Sequence, residues 1–334
     1  MNVFQIGPDI SKVGGISSVI RTLNELEIDG CRVTNLVSWR PRNYYGFFTW
    51  IQCIKFLIRD RLTDQKIDLL HIHFSNGGSY LREGSILVLG RFLGINSVST
   101  LHGSKLAKKI KVNWWDFHFK MIASYSKKVI CISPNTRDLF TGSKGPVLLV
   151  ANPLVRSLDL KPRDFSCTEK VILFGGVREL RKGFDVYVSA GKKLSSIHKD
   201  WSFAVAGPKG DSGHLMDGEN FLDFGELSHH EFLEKLSSAR ILCLPSKEEQ
   251  SPVVIWEALS MGVCVVATRV GAIEWILGED YPFYCDVNNV VSLELALQLA
   301  MSSDLEMMAS SLRSKSLPAL SETQSTLWKK IYTL

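Results

Sequence analysis

The chain has 334 residues, of which 45% are hydrophobic and 22% are charged. At roughly 150 residues per domain, this length predicts about two globular domains, and the apolar content excludes a disordered chain. The seven cysteines form no CxxC pair and no cluster with histidine, which argues against a zinc module or a disulfide framework and favours a reducing, cytoplasmic compartment. The N-terminus lacks a signal-peptide pattern, and no stretch approaches the ~20 apolar residues of a membrane-spanning helix.

The net charge of +5 is unevenly distributed. Residues 1–165 contain 23 Lys or Arg and 12 Asp or Glu, a balance of +11, whereas the remainder has a balance of −6. Residues 105–128 combine seven lysines with five aromatic residues, and residues 39–61 repeat the mixture. This composition is typical of a segment on an anionic membrane surface, with a core-facing helix and a solvated lysine face as the alternative. Nucleic acid is a weaker alternative, because no binding signature accompanies the lysines.

Short apolar runs alternate with longer helical patterns along the chain. Before a polar stretch at 156–169 the runs are Val3–Ile6, Val33–Val37, Leu69–His73, Ser97–Leu101, Lys128–Ile132 and Val147–Val150. After it they are Val171–Phe174, Ser202–Ala206, Phe221–Phe224, Ile241–Leu244, Cys264–Ala267 and Phe283–Tyr284. Strands that alternate with helices form parallel sheets, so the sequence predicts two doubly wound α/β domains. Ligands bind beyond the carboxyl ends of such strands, so functional residues are expected directly after these runs.

Glycines and histidines follow strands of the first half. Gly14 and Gly15 precede a predicted helix, where glycine lets backbone N–H groups approach a phosphate or a sugar, although the pair also fits a plain tight turn. His102 directly follows the fourth run and is well placed for a ligand, with a structural histidine as the alternative. His71 and His73 share one face of their strand, so at least one of them is expected to be structural.

Two segments of the second half carry stronger signals. Arg178, Arg181 and Lys182 stand near a helix start, where cations and backbone N–H groups neutralise a diphosphate, and Lys182 is expected to be exposed. Glu249 lies in a loop, and Glu257 follows about a turn and a half inside the next helix. Two carboxylates that reach one cleft suit the hydroxyl groups of sugars and ribose. Solvated surface charges are the alternative, but apolar strands flank both glutamates.

The second segment resembles the hallmark of the retaining family 4 glycosyltransferases of the GT-B fold, P-S-x-x-E-G-F-P-x-x-x-x-E-A-x-x-x-G-x-P-V-V-A-T. The matching positions are Pro245, Ser246, Glu249, Pro252, Glu257, Ala258, Gly262, Val265, Val266, Ala267 and Thr268. Weaker matches extend the resemblance over nearly the whole chain, among them T-x-H at 100–102, N-P at 152–153 and A-G at 206–207. Gln250-Ser251 departs from the usual Gly-Phe, and a longer glycine turn leaves open whether Arg178 or Arg181 meets the phosphate.

The resemblance implies roles for particular residues. The implied catalytic set is His102, Glu249, Lys182 and Arg178. Within it, Arg178 and Lys182 would bind the donor diphosphate, Glu249 the donor sugar near its anomeric carbon, and His102 the sugar at the reaction centre. Glu257 would bind the ribose, and the loop at 224–225 would lie against the base. The implied donor-binding residues are Gly14, Gly15, Arg178, Lys182, Gly207, Phe224, Gly225, Glu249, Ser251, Pro252, Val253 and Glu257.

The resemblance implies an acceptor domain at 1–160, a nucleotide-sugar domain at 161–315 and a C-terminal helix at 316–334 that packs back on the first domain. The expected reaction is retaining transfer of a hexosyl group from a nucleotide diphosphate sugar to a lipid-linked saccharide at the inner face of the plasma membrane, in cell-surface polysaccharide assembly. Without a DxD pair, no metal is expected, and no cofactor other than the donor substrate. A nucleotide-sugar epimerase of the same fold and a non-catalytic partner subunit are the alternatives.

Overall fold

The computed structural model consists of two units of α/β structure. It describes residues 1–11, 15–40, 45–62, 67–103, 113–143, 145–154, 164–211 and 218–333. Unit 1 comprises Met1–Arg156 and Pro318–Leu334, and unit 2 comprises Ser157–Leu317. Across the described residues, no helix is both long enough and apolar enough to cross a membrane.

Unit 1 is built on a six-stranded parallel sheet. Its strands are β1 (Asn2–Pro8), β2 (Arg32–Trp39), β3 (Leu69–Phe74), β4 (Asn96–Leu101), β5 (Lys128–Cys131) and β6 (Val147–Leu149). They are ordered β2-β1-β3-β4-β5-β6. Every residue of β3 is buried, as expected for a central strand of a parallel sheet that is covered on both faces. The helices between these strands are α1 (Gly15–Glu25), α2 (Tyr45–Leu62), α3 (Ser79–Phe92), α4 (Asn113–Tyr125) and α5 (Pro134–Arg137).

Unit 2 repeats the architecture. Its strands are β7 (Glu169–Gly175), β8 (Ser202–Ala206), β9 (Phe221–Asp223), β10 (Ala239–Leu244), β11 (Cys264–Thr268) and β12 (Tyr284–Cys285). The order is β12-β11-β10-β7-β8-β9, with all neighbours parallel. Its helices are α6 (Phe184–Ile197), α7 (His229–Ser238), α8 (Val253–Ser260), α9 (Ile273–Leu277), α10 (Val290–Ser302) and α11 (Leu305–Ser316).

The last helix of the chain, α12 (Ser321–Tyr332), belongs to unit 1. Trp328 and Tyr332 are buried there, with 2% and 0% of their surface exposed. Gln324 is buried as well, and its Nε2 donates a hydrogen bond to the carbonyl oxygen of Ala151 at 3.2 Å. This helix is therefore a packed component of unit 1.

A strand lies at each of the twelve predicted runs. The last strand of unit 2 is Tyr284–Cys285 rather than Phe283–Tyr284, and β1, β2, β7 and β10 extend beyond the predicted runs at one or both ends. The predicted α/β class with two doubly wound parallel sheets is confirmed. All seven cysteines are free thiols.

Candidate functional site

The loops that follow β7, β8, β9 and β10 share one edge of unit 2. These strands are direct neighbours, and parallel strands bring their carboxyl ends to the same side of the sheet. That edge carries most of the predicted donor-binding residues, namely Arg178, Lys182, Gly207, Phe224, Gly225, Glu249, Ser251, Pro252, Val253 and Glu257.

Arg178 is a buried guanidinium held by Asp223. Its Nη1 donates to Asp223 Oδ2 at 2.7 Å, and its Nη2 donates to the other carboxylate oxygen. Its Nε donates to the carbonyl oxygen of Gly207 at 3.3 Å, and only 7% of the residue is exposed. The hydrogen bond from Arg178 is the main reason why the pKa of Asp223 lies below its ordinary value. Arg178 therefore ties together the loops after β7, β8 and β9.

Arg181 lies closer to solvent than Arg178. Its side chain is 43% exposed, and its Nη2 donates to Glu179 Oε2 at 3.1 Å. Its Nη1 donates to the carbonyl oxygen of Glu248 at 3.4 Å. The sequence leaves open which arginine meets a phosphate. All three guanidinium nitrogens of Arg178 are bonded to protein atoms, whereas Arg181 keeps a large exposed surface.

A cavity of about 550 Å³ opens beside the Arg178–Asp223 ion pair. Its lining includes Gly207, Phe224 and Gly225. Gly207 has a φ of +153°, and a Cβ there would lie 2.0 Å from a backbone carbonyl oxygen of the loop after β7. Only glycine permits this close approach, so the shape of the cavity depends on this residue.

Lys182 and Glu249 form an ion pair at the centre of the same edge. Lys182 Nζ lies 2.6 Å from Glu249 Oε1, which also accepts a hydrogen bond from Ser246 Oγ at 2.8 Å. The lysine side chain is 20% exposed and the glutamate side chain 8%. The expectation that Lys182 is exposed is therefore wrong, because its pairing with Glu249 draws the ammonium group partly into the protein.

Gly183 explains why Lys182 approaches the loop after β10 so closely. Its φ of +72° is in the left-handed region, and a Cβ there would lie 1.9 Å from the carbonyl oxygen of Pro245. Glycine alone lets these two backbone segments touch. In this dipeptide, Lys182 therefore supplies the positive charge, and Gly183 lets the backbone approach the loop after β10.

Glu257 is the second buried carboxylate of the predicted pair. It lies in α8, its side chain is 7% exposed, and its Oε1 lies 2.8 Å from His229 Nε2. His229 is the first residue of α7, which begins with a capping box between Ser228 and Glu231. The cap fixes the start of α7 and thereby holds the imidazole beside Glu257.

The remaining donor-binding residues of this loop surround the start of α8. Ser251 is buried, Pro252 stands at the N-cap position, and Val253 is the first helical residue. Among the described residues, no side chain caps this helix, and an uncapped helix N-terminus is the kind of position at which anions bind. Glu257 is the fifth residue of this helix, which agrees with the prediction that it lies about a turn and a half inside.

Unit 1 holds His102 in a buried polar chain. His102 Nε2 lies 2.9 Å from His73 Nδ1, and His73 Nε2 lies 2.9 Å from Gln5 Oε1. Burial lowers the pKa of His102 to about 3 and that of His73 well below its ordinary value. These side chains are therefore neutral at neutral pH.

His71 joins the same cluster from the other side. Its ring centroid lies 4.1 Å from that of His73, and its nitrogens bond Tyr332 Oη at 2.9 Å and Thr100 Oγ1 at 2.7 Å. Burial lowers the pKa of His71 to about 3. The expectation that His71 and His73 share a face and that at least one is structural is confirmed, since both are fully enclosed.

Gly15 is the first residue of α1, and a Cβ there would meet no atom within 4 Å. Gly14 lies outside the described residues, as do Lys105–Lys111 of the basic-aromatic segment. Among the described residues, nothing therefore lies against Gly15, and its donor-binding role stays a prediction.

Sequence reasoning missed Asp223, His229 and Gln5. Asp223 ends a strand, so the rule that functional residues follow strands could have found it. Gln5 interrupts an apolar run, and a polar residue in a buried strand signals a hydrogen-bond partner nearby. His229 gave no comparable signal, because its partner Glu257 is distant in sequence.

Two family models match this chain. "Glycosyl transferases group 1" covers residues 157–315, and "Glycosyltransferase Family 4" covers residues 17–152. The chain belongs to the family 4 glycosyltransferases. The predicted family is thus confirmed.

A curated relative is the phosphatidylinositol N-acetylglucosaminyltransferase GPI3 subunit of Saccharomyces cerevisiae. It is 25% identical over 273 residues, a stretch that represents 74% of this glycosyltransferase. The stretch spans only 58% of the length of the yeast protein.

Solved structures confirm the GT-B fold. Sucrose-phosphate synthase from Thermosynechococcus elongatus superimposes with a TM-score of 0.73 at 16% identity, over 99% of each chain. The Anabaena protein HepE, in complex with UDP and glucose, gives a TM-score of 0.70 at 13% identity, also over 99% of each chain.

Proposed function

We propose that this glycosyltransferase moves a hexosyl group from a nucleotide diphosphate sugar to a hydroxyl of a lipid-linked saccharide, with retention at the anomeric carbon, in cell-surface polysaccharide assembly. The observation that carries the proposal is the grouping of Lys182, Glu249 and Glu257 at one edge of unit 2. Each is largely buried and ion-paired or hydrogen-bonded. Charged groups held in this way are preorganised for a polar ligand rather than solvated surface charges.

The donor diphosphate is assigned to Lys182 and to the N-terminus of α8. Lys182 Nζ supplies a positive charge, and the first turn of α8 supplies N–H groups that no side chain caps. Arg181 adds a second cation, and its side chain is 43% exposed. Together they stabilise the negative charge that develops on the leaving diphosphate, so we propose that no metal is required.

The nucleoside is assigned to Glu257 and the cavity beside Arg178. Glu257 Oε1 is engaged with His229, which leaves Oε2 to accept hydrogen bonds from ribose hydroxyls. The cavity of about 550 Å³ at Phe224 and Gly225 has room for a base. The structure of HepE with UDP and glucose shows that a protein of this fold holds such a ligand.

Retention is assigned to attack on the face from which the diphosphate leaves. The bond between the anomeric carbon and the phosphate oxygen breaks, the bond to the acceptor oxygen forms on the same face, and the acceptor proton passes to the departing phosphate. Glu249 Oε1 already accepts bonds from Lys182 and Ser246. Its assigned role is therefore to orient Lys182 and the donor sugar rather than to take that proton.

The lipid-linked acceptor and a peripheral membrane location are supported by exposed apolar side chains of unit 1. Phe47, Phe48, Leu81 and Phe117 are each at least 60% exposed. They lie near the starts of α2, α3 and α4, hence at the carboxyl edge of the unit 1 sheet, where an acceptor would bind. Exposed apolar side chains of this size suit contact with a membrane surface. The name of the yeast relative also describes transfer to a phospholipid.

A donor panel tests the enzymatic part. UDP-sugars and GDP-sugars are incubated with the protein, and nucleotide release is measured with and without a bacterial membrane extract. If the protein is a transferase, nucleotide release should increase when the extract is present. A radiolabelled donor sugar should then appear in the lipid fraction. An epimerase would convert the sugar without an acceptor, and a non-catalytic subunit would release no nucleotide in either condition. Either result would overturn the proposal.

Liposome co-sedimentation tests the membrane part. The double variant Phe47→Ser/Phe48→Ser should weaken binding to anionic vesicles, since each serine removes apolar contact area. Phe92→Ser is the matched control, because Phe92 is 83% exposed at the opposite end of α3. A further variant, Lys108→Glu/Lys109→Glu/Lys111→Glu, should release the protein at low salt. Equal sedimentation of wild type and both multiple variants would contradict membrane docking.

A further inference from the structure

Arg82 of unit 1 carries a guanidinium group that the protein uses only in part. It is the fourth residue of α3, and its Nε donates to Glu83 Oε1 at 2.8 Å. Its side chain is 21% exposed. A guanidinium has five N–H donors, and among the described residues no atom accepts a hydrogen bond from Nη1 or Nη2 of Arg82. The N–H groups of these two nitrogens are therefore available to a ligand.

Glu83 holds this guanidinium from the interior of unit 1. Its side chain is only 1% exposed, although glutamate is seldom buried without a partner. Its Oε1 also accepts a hydrogen bond from Ser38 Oγ at 2.6 Å, and Ser38 is fully buried near the end of β2. Because Arg82 and Glu83 together carry no net charge, recognition of an anion there depends on the direction of the N–H groups.

Trp39 supports the guanidinium from a second side. Arg82 Cζ lies 5.4 Å from the centroid of the Trp39 ring, within the range of a cation–π contact. Trp39 is the last residue of β2, so it and Arg82 both lie at the carboxyl edge of the unit 1 sheet. A carboxylate on Nε and an indole beside the guanidinium restrict its rotation. The two Nη groups are thereby preorganised for two oxygens of one anion.

Exposed apolar side chains are joined to Arg82 by a short series of contacts. Leu81 precedes it in α3 and is 61% exposed. Ser85 Oγ donates to the carbonyl oxygen of Arg82 at 2.7 Å and accepts from Trp50 Nε1 at 3.0 Å. The Trp50 ring lies 5.4 Å from that of Phe47, which is 60% exposed. The same part of unit 1 therefore offers donors for an anion and a surface for hydrocarbon.

We infer that Arg82 binds a phosphate group that is attached to a lipid, and that Glu83 and Trp39 are its positioning residues. Nη1 and Nη2 donate to two phosphate oxygens, while Leu81 and Phe47 contact the adjoining hydrocarbon. A free anion would use only the first of these features. The phosphate site depends on unit 1 alone, whereas its role, to hold the phosphate between the lipid and the saccharide of the acceptor, rests on the proposed function.

Arginine labelling tests the site in the wild-type protein. Hydroxyphenylglyoxal modifies accessible guanidinium groups, and mass spectrometry measures the rate at each arginine. Farnesyl diphosphate, a soluble lipid phosphate, should slow the labelling of Arg82 at least about fivefold. Arg91 is the internal control, because it is exposed in the last turn of the same helix, and its labelling should stay constant. Equal labelling of Arg82 with and without farnesyl diphosphate would overturn the inference.

Two matched probes identify the source of the phosphate. Farnesol has the same hydrocarbon without phosphate and should leave the labelling of Arg82 unchanged. Inorganic pyrophosphate has the phosphates without hydrocarbon and should require a roughly tenfold higher concentration for the same protection, because it loses the apolar contacts. Protection by farnesol would overturn the phosphate site, and equal protection by pyrophosphate would overturn its assignment to a lipid.

Two variants of Trp39 test its positioning role while Arg82 remains available for labelling. Trp39→Leu should raise the farnesyl diphosphate concentration for half-protection of Arg82 roughly threefold, because the cation–π contact is lost. Trp39→Phe retains an aromatic face and should restore most of the protection. Half-protection at the wild-type concentration in Trp39→Leu would remove Trp39 as a positioning residue.

Variants of Arg82 connect the site to transfer. Arg82→Gln should raise the KM for the lipid-linked acceptor roughly tenfold with little change in kcat. Arg82→Lys should also bind the acceptor more weakly than the wild type, because an ammonium group keeps the charge but lacks the planar pair of donors. Arg91→Gln is the matched control. A wild-type acceptor KM in both Arg82 variants would remove Arg82 from acceptor binding.

The labelling and transfer assays fail independently. If farnesyl diphosphate protects Arg82 but no donor sugar enters the lipid fraction, the proposed function fails while the phosphate site stands. If sugar is transferred to lipid while Arg82 stays unprotected, the phosphate site fails and the proposed function stands. Labelling of the wild-type protein decides the site even where a variant does not fold.

Discussion

The histidine cluster of unit 1 and the charged loops of unit 2 are built in opposite ways. The cluster of unit 1 encloses a chain of neutral groups, Gln5, His73 and His102, joined by hydrogen bonds. Unit 2 uses ion pairs, Arg178 with Asp223 and Lys182 with Glu249. Neutral donors and acceptors recognise uncharged hydroxyls, whereas fixed charges stabilise a diphosphate. The fixed charges of unit 2 therefore suit the diphosphate that we propose it binds.

Acid is expected to separate the two units most strongly, because it should destabilise unit 1 more than unit 2. The folded-state pKa values of His71 and His102 are about 3, and that of His73 is also depressed, against 6.5 for free histidine. The unfolded chain therefore binds more protons below pH 6.5, so this stability is complete above 6.5 and is lost as pH falls towards 3. At pH 5, His71 and His102 should each lower the free energy of unfolding by about 2 kcal/mol.

Thiol labelling in urea measures this loss unit by unit. Cys53 and Cys131 are buried in unit 1, and Cys243 and Cys264 are buried in unit 2. The urea concentration at which the thiols become labelled should be lower at pH 5 than at pH 7. This decrease should be larger for the unit 1 thiols than for the unit 2 thiols. Equal shifts for the two pairs would show that the histidine cluster does not distinguish the units.

Lys182→Ala should remove the charge that stabilises the leaving diphosphate. The expected loss of transfer rate is roughly 10²-fold or more, because an electrostatic group acts on the charge that develops in the transition state. Initial rates at saturating donor measure it. Lys170→Ala is the control, since Lys170 pairs with Asp200 near the opposite edge of the unit 2 sheet. A wild-type rate in Lys182→Ala would remove Lys182 from the diphosphate site.

Glu257→Gln should act on donor binding rather than on chemistry. The amide loses the charge that strengthens hydrogen bonds to ribose and to His229, so the donor KM should rise roughly tenfold while kcat changes little. A steady-state titration of the donor separates the two constants. A drop in kcat at unchanged KM would place Glu257 at the reacting atoms instead of the ribose.

Chelation should have the smallest effect. Charge stabilisation by Lys182 and by the α8 N-terminus predicts unchanged transfer in excess EDTA. The assay compares initial rates before and after EDTA, and again after Mn²⁺ is added. Loss of activity in EDTA with rescue by Mn²⁺ would replace the metal-independent mechanism.

The sequence predicted the strands well because each central strand is a continuous apolar run, as at Ile241–Leu244. It also predicted the charged loops, since Lys182, Glu249 and Glu257 lie directly after strands or at helix starts. It could not predict the pairing of Lys182 with Glu249, which is set by the left-handed turn at Gly183. Distances of this kind depend on how separate loops meet in three dimensions.

The histidine chain shows the same limit in unit 1. His102 stands out in the sequence because it follows a strand, but its hydrogen-bond chain ends at Gln5, two strands away in the sheet. The sequence pattern does not give the register between β1, β3 and β4. The chain forms only because that register brings Gln5, His73 and His102 together.

Hydrogen exchange with and without a nucleoside diphosphate tests most directly whether unit 2 is the donor site. Either UDP or GDP, at a saturating concentration, should slow exchange most in residues 175–183, 223–226 and 245–257, which carry the charged loops and the start of α8. Lys182→Ala should reduce this protection, while Lys170→Ala should leave it unchanged. Absence of protection in these three segments with both nucleotides, or protection confined to unit 1, would contradict the assignment.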